Sequence, residues 1–231
     1  MPYTHVQLEP LAEDAWLLRF GETIDLQLNA RVHAVAAKLQ SSLAKVECVP
    51  AYASLLLRLD PLDWLDERGR FSDRRLRDAI DVVMQQASTL ETTSREVTIP
   101  VCYGGQAGED LQDVATYTKL SPEEVIARHT RATYRVAMLG FAPGFPYLLG
   151  LDPALAMPRR SHPRMRVPPG SVAIGGTQTG IYPQELPGGW QLIGRTPLQL
   201  FDPVADMPSL LQPGDCVRFQ AMDEHAFRRL A

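Results

Sequence analysis

The chain has 231 residues, 45% of them hydrophobic, and a formal net charge of −4 with a pI near 5.7. That apolar content can fill a core, which excludes bulk disorder, and the acidic balance provides no electrostatic footprint for nucleic acid. Of its 16 glycines and 19 prolines, 24 fall between Gly140 and Gly214, which excludes a helix bundle there, because Pro removes a helix donor and Gly weakens helices.

From the N-terminus, Met1–His5 lacks a basic region followed by an apolar stretch, so no signal peptide is expected. Ala15–Phe20 (AWLLRF) is a short apolar run, read as a strand closed by Gly21. Asn29 is predicted to cap a helix through Leu43, with Val32, Val35, Ala36, Leu39 and Leu43 on one face. Glu47–Tyr52 and Ser54–Leu59 read as strands, the second ended by Asp60-Pro61. Ser72 or Asp73 caps a second helix, with Leu76, Ile80, Val83, Ala87 and Leu90 at helical spacing. Strands interleaved with two amphipathic helices predict a ferredoxin-like α+β domain over residues 1–94.

Past the polar stretch Glu91–Arg95, Glu96–Tyr103 (EVTIPVCY) alternates like a strand and is closed by Gly104-Gly105. Asp110–Thr118 is a helical patch. Ser121-Pro122-Glu123-Glu124 carries a full capping-box signature for a helix running to about His129. Tyr134–Leu139 is a strand candidate. Beyond Gly140, Ser171–Ile174, Trp190–Ile193, Leu198–Phe201 and Cys216–Phe219 are the best strands, with a turn at Pro213-Gly214-Asp215 before the last. Short strands between Pro/Gly turns predict a mostly-β barrel over residues 95–231.

The longest uncharged apolar stretch, Val136–Leu151, is too short to span a bilayer and is broken by Pro143 and Pro146. Cys48, Cys102 and Cys216 are isolated and suggest no disulfide framework, so a cytoplasmic protein is expected. The five histidines are scattered without HxH or HExxH spacing, so no metal site is predicted. No G-x-S-x-G appears either.

Gly189–Thr196 spells G-x4-G-R-T, one residue from a phosphate loop, but Arg replaces Lys and Pro197 follows where a helix is required. Gly175–Gly180 (GGTQTG) reads as a bulge or tight loop in preference to an anion nest. Arg159, Arg160, Arg164 and Arg166 lie within eight residues around His162, in a segment from Gly140 to Gly214 that has no Lys. Arg binds carboxylate or phosphate in a planar fork, so the cluster is either a small-anion site or a solvated loop. His129, at a helix end before a strand, is either an acid/base group or a cap of the helix C-terminus. Phe141–Leu148 (FAPGFPYL) is a rigid aromatic loop, either a core plug or the apolar wall of a cleft.

Taken together, Tyr103-Gly104-Gly105, Asp110-Leu111, His129, GFAPGFPYL (140–148), PRRSHPR (158–164), VPPGSVAIGGTQTGIYP (167–183), PGGWQLIGRT (187–196), LFDP (200–203) and PGD (213–215) resemble the family of 5-oxoprolinase B subunits, also called the KipI-like or allophanate hydrolase subunit 1 family. The resemblance is dense over residues 96–220, and before that only the element order matches. It implies a ferredoxin-like domain followed by a cyclophilin-like β-barrel. It also implies an ATP-dependent 5-oxoprolinase, working with the C and A subunits of that enzyme to open the lactam of 5-oxo-L-proline to L-glutamate, and inactive alone. ATP with Mg is expected at a site shared with a partner subunit. Two other branches of the resemblance imply an inhibitor of a sensor histidine kinase and a carboxyltransferase-type component acting on urea- or allophanate-like amides. An activated lactam calls for cations at the carboxylate and phosphoryl groups, roles that fall to Arg160 and Arg164. Gln178 and Thr179 would supply neutral donors, Tyr182 and Trp190 would flank the ring, Phe145 would contact substrate from the apolar wall of the cleft, and His129 would move a proton. Arg166, Arg195 and Glu185 lie inside the motif blocks without assigned roles.

Overall fold

The computed structural model describes residues 6–43, 45–86 and 94–230. The chain divides into two compact units, Met1–Thr93 and Ser94–Ala231. No helix among the described residues is long and apolar enough to cross a membrane.

The first unit is a four-stranded antiparallel sheet with two helices. Its strands are β1 (Gln7–Ala12), β2 (Ala15–Arg19), β3 (Glu47–Pro50) and β4 (Ser54–Arg58), in the order β1-β2-β4-β3. Helix α1 (Leu26–Ser42) begins at Asp25, whose carboxylate accepts the Leu28 N–H at 2.8 Å. The predicted cap, Asn29, instead lies inside the first turn and is fully buried. Its Nδ2 donates to the Ala51 and Tyr52 carbonyls at 3.0 and 3.3 Å, tying the helix to the β3–β4 connection. The expected face of α1, Val32, Val35, Ala36 and Leu39, packs with Leu18, Leu55 and Leu57. Helix α2 (Asp73–Gln86) adds Leu76, Ile80 and Val83 to the same core. The predicted face positions Ala87 and Leu90 lie outside the described residues.

The second unit is a closed barrel. Chain order supplies β5 (Glu96–Tyr103), α3 (Leu111–Thr118), α4 (Pro122–Arg131), β6 (Thr133–Leu139), β7 (Pro146–Leu149), β8 (Arg164–Val167), β9 (Ser171–Gly175), β10 (Gln178–Ile181), β11 (Leu186–Gly188), β12 (Gln191–Arg195), β13 (Cys216–Met222) and α5 (Glu224–Leu230). Seven strands close the barrel in the order β10-β7-β6-β13-β5-β12-β9, and β8 with β11 forms a separate ribbon. Strand β13 lies between β5, to which it is parallel, and β6, to which it is antiparallel. Closure leaves no sheet edge, which is how antiparallel β structures avoid open pairing surfaces. The barrel core collects Ile99, Val101, Tyr134, Val136, Ile174 and Phe219 with Leu111 and Val114 of α3 and Val125 of α4.

The capping box of α4 forms as expected. Ser121 Oγ accepts the Glu124 N–H at 3.2 Å, and Glu124 Oε2 accepts the Ser121 N–H at 2.9 Å. Leu198–Phe201, by contrast, is not a strand. Pro197 and Pro203 flank it, Leu200 is buried in the barrel core, and only Phe201 makes a bridge, to Ser209. Its alternating leucines are anchors of an irregular segment.

Candidate functional site

The glycine-rich segments are structural. Gly175–Gly180 is the tight β9–β10 hairpin, with Gly176 at φ +65° in its two-residue turn. The G-x4-G-R-T segment contains strand β12. Neither forms the strand–loop–helix geometry of a phosphate loop. Gly175 also allows a close approach: a Cβ there would sit 2.5 Å from the Trp190 ring. Gly175→Ala is therefore expected to displace the indole, lowering stability by about 1–3 kcal/mol. A reduced urea midpoint together with a shifted tryptophan emission spectrum checks this.

The arginine-rich loop is organised by a residue to which the sequence patterns assign no role. Asp110, 2% exposed, stands just before α3. Its Oδ1 accepts from Arg160 Nη1 at 2.8 Å and Arg164 Nη2 at 2.7 Å, and its Oδ2 accepts from Arg164 Nη1 at 2.9 Å. Oδ2 also accepts the Leu192 N–H at 2.7 Å, while the Asp110 N–H donates to the Leu192 carbonyl at 2.8 Å. Glu109 adds a contact to Arg164 at 3.3 Å. Hydrogen bonding to Asp110 is the main cause that holds the Arg164 pKa above its ordinary value. The two arginines expected to meet substrate anions thus face an internal carboxylate and anchor their loop to β12 and α3. Arg166 pairs with Glu185 at 3.6 Å in solvent, and Arg195 Nε donates to the Pro169 carbonyl at 2.7 Å.

Beside this hub stands an aromatic cluster. Phe145 meets Tyr182 and Trp190 edge-on, with centroids 5.2 and 5.8 Å apart, and Tyr147 lies 4.9 Å from Phe145. Phe145, Tyr182 and Trp190 are all buried in one packed cluster, so Tyr182 and Trp190 back the surface from inside and do not present faces that could flank a substrate ring. Burial raises the pKa of the Tyr182 and Tyr147 hydroxyls. Phe141, in the same loop, adopts φ +68° and is largely exposed. The Arg159 guanidinium lies 5.6 Å from the Trp190 ring centroid. It opens onto a cavity of about 470 Å³ lined also by Tyr117, Arg160, His162 and Gln191. A second cavity, of about 390 Å³, is bordered by Gly104, Gly105, Arg195 and helix α5. Gln178 is half-buried at the start of β10.

His129 and Thr179 do not face this surface. His129 is fully buried, its ring tilted 30° to that of Phe219 with centroids 4.4 Å apart, and its two ring nitrogens are both engaged. The Thr179 hydroxyl donates to the Ala173 carbonyl at 2.9 Å, so it accepts from His129 Nε2–H at 3.2 Å. That leaves Nδ1 to accept from the Tyr103 hydroxyl at 2.7 Å. Desolvation lowers the His129 pKa to about 3 and raises the Tyr103 pKa well above its usual range. The predicted proton shuttle is therefore a neutral imidazole locked in the barrel core. It is not a helix C-cap either, since α4 continues to Arg131. Cys48, whose thiol burial pushes up to about 12, offers no nucleophile.

The family model for the carboxyltransferase domain, subdomain C and D, matches residues 6–211. A relative from Bacillus subtilis (strain 168), named as the B subunit of 5-oxoprolinase, is 46% identical over 96% of this chain and 96% of its own length. The chain belongs to the family of 5-oxoprolinase B subunits. Among solved structures, TTHA0988 is 42% identical with a TM-score of 0.75, covering 90% of this chain but 39% of its own. This chain therefore spans about two fifths of that protein. PH0987 from Pyrococcus horikoshii, described as a conserved uncharacterized protein, is 41% identical with a TM-score of 0.58 over 96% of this chain and 100% of its own. The family membership covers both units, and the Asp110–arginine hub and aromatic cluster fall within the matched span.

Proposed function

We propose that the chain is the B subunit of an ATP-dependent 5-oxoprolinase, a hydrolase complex completed by the C and A subunits. The 46% identity to the Bacillus subtilis protein across nearly the full length of both chains carries this reading. In it, 5-oxo-L-proline, ATP and two waters are converted to L-glutamate, ADP and phosphate, one water opening the lactam and the other taking up the phosphoryl group. The lactam is activated by phosphorylation of its amide oxygen before water opens the ring. Among the described residues no group of three His, Cys, Asp or Glu side chains could hold a metal ion. Mg bound with a nucleotide is held mainly by the phosphates and needs only one or two carboxylates, so the reading places ATP and its Mg at a site shared with a partner subunit without calling for such a cluster.

The part of this chain is then to present a rigid, cationic, aromatic-backed surface. Asp110 fixes Arg160 and Arg164, and through them the 158–164 loop. Phe145, Tyr182 and Trp190 form its backing, and Gln178 supplies a neutral donor near the hairpin. We read the first unit as ferredoxin-like, since an antiparallel β1-β2-β4-β3 sheet with two interleaved helices supports that description, and the barrel as cyclophilin-like.

Co-expression with candidate A and C subunits tests the function. The expected result is ATP hydrolysis that depends on 5-oxoproline and releases glutamate in equal amount from the assembled complex, with no turnover by this chain alone. A correctly assembled complex that hydrolyses no ATP in response to 5-oxoproline would sink the reading.

A further inference from the structure

We infer that Arg159 grips the carboxylate of the small organic acid that this chain handles, at the cavity lined by the 157–162 segment. The inference rests on the 5-oxoprolinase reading and names a substrate contact within it.

Charge matching singles this residue out. Of the four arginines between residues 159 and 166, three have carboxylate partners: Arg160 and Arg164 on Asp110, and Arg166 on Glu185. Arg159 has none among the described residues. Its interaction is with the Trp190 ring at 5.6 Å. A guanidinium held by a ring is attracted through charge and quadrupole, which leaves its N–H fork uncommitted for an oxyanion.

The side chain is exposed, but the backbone on either side of it is pinned. Met157 and Gly176 exchange N–H···O bonds at 3.1 and 2.8 Å, the Arg160 N–H donates to the Gly189 carbonyl at 2.6 Å, and Gln191 Nε2 donates to the Pro158 carbonyl at 2.9 Å. The loop is thus ordered before any ligand arrives, which lowers the entropy lost on binding. The cavity, about 470 Å³, is within the size range of small-molecule sites, roughly 300–1,000 Å³. Its cationic lining is opposed by a single carboxylate, Asp113. Arg160 is already charge-paired with Asp110 through Nη1, which leaves Arg159 as the arginine of this lining without a carboxylate partner among the described residues, and one unpaired positive charge suits a monoanion. The two glycine-rich segments, one containing a strand and the other a hairpin, lack the strand–loop–helix form that cradles a polyphosphate.

Steady-state kinetics of the complex assembled with full-length chain test the assignment. Arg159→Gln is expected to raise the KM for 5-oxo-L-proline about tenfold to a hundredfold, the span of a charge-assisted hydrogen bond, with a smaller change in kcat and no change in the KM for ATP. Arg159→Lys should recover part of the loss, since an ammonium keeps the charge without the fork. Arg166→Gln, which removes an equal charge from the same segment, should leave both KM values unchanged. An active complex in which Arg159→Gln leaves the 5-oxoproline KM unaltered overturns the inference alone. A selective rise in the KM for ATP overturns it too, by showing that the cavity reads a phosphoryl group. A wild-type complex without 5-oxoproline-dependent turnover overturns the functional reading and this contact with it.

Discussion

Asp110→Ala should be the most destabilising single substitution on the arginine-rich side of the barrel, lowering stability by about 3 kcal/mol. Removing one partner of a largely buried ion pair typically costs roughly 3–5 kcal/mol. The lower end applies because the Arg160 and Arg164 side chains remain 34% and 19% exposed and recover some hydration. The loss has three components. Two guanidinium groups lose their shared counter-ion, and the Leu192 N–H loses its acceptor inside the barrel wall. The third component is the 158–164 loop, which is released from its tether to α3. Equilibrium urea unfolding reads the total. A double-mutant cycle with Arg164→Ala should show strong coupling, because the Arg164 fork is then already without its carboxylate. Arg166→Ala, an exposed pair, should change stability by less than about 1 kcal/mol. A loss below that level for Asp110→Ala would show that the hub is not structural. In the assembled complex, the same substitution should abolish turnover by disordering the loop that carries Arg159.

His129 predicts a pH-dependent stability of defined sign. Its pKa is about 3 in the folded chain, against an ordinary value of 6.5. A base whose folded pKa is depressed binds its proton in the unfolded state first. Its contribution is therefore neutral above about pH 6.5, and destabilisation grows as pH falls from there toward the folded pKa, by about 1.4 kcal/mol per pH unit. At about pH 4.5 the wild type should have lost roughly 2–3 kcal/mol from this group relative to pH 7. His129→Gln removes the titration. Its stability at pH 7 should fall, because the ring leaves Phe219 and Tyr134, but its further loss on acidification should be smaller by that same 2–3 kcal/mol, roughly. Carboxylate titrations occur in both proteins and cancel in the difference. Identical slopes between about pH 7 and 4.5 would mean that the imidazole is solvated, contrary to its burial.

Much of the fold could be read locally. The α1 and α2 faces are set by helical periodicity, the α4 start by a short capping motif, and the change to short strands by the Gly/Pro density after Gly140. Each of these signals spans a turn or two of chain. Strand β1 was missed because its burial does not alternate, and the buried side of Leu198 and Leu200 imitated a strand in a segment that proline keeps irregular. The site was legible as a composition of arginine and aromatic residues, and that much survives. What could not be read was which charge meets which. Asp110 lies far before the arginines that it holds, 50 positions from Arg160, and although Asp110-Leu111 is among the segments that carry the resemblance, its local pattern is that of a solvated helix-start aspartate. For the same reason His129 looked like a proton carrier: the hydroxyls that immobilise it come from β5 and β10, and only closing the barrel brings them to one ring.

The place of β13 in the barrel has a consequence for how the chain is made. This strand is separated from its parallel neighbour β5 by every other strand of the barrel, yet it fills the gap between β5 and β6. During synthesis β5 and β6 leave the ribosome early and must wait, edges unpaired, until β13 follows. The Met1–Thr93 unit has all its strand partners within itself and can mature while translation continues. The barrel cannot close before β13 has emerged, and in that interval its open edges are the part of the nascent chain most exposed to aggregation and most in need of a chaperone.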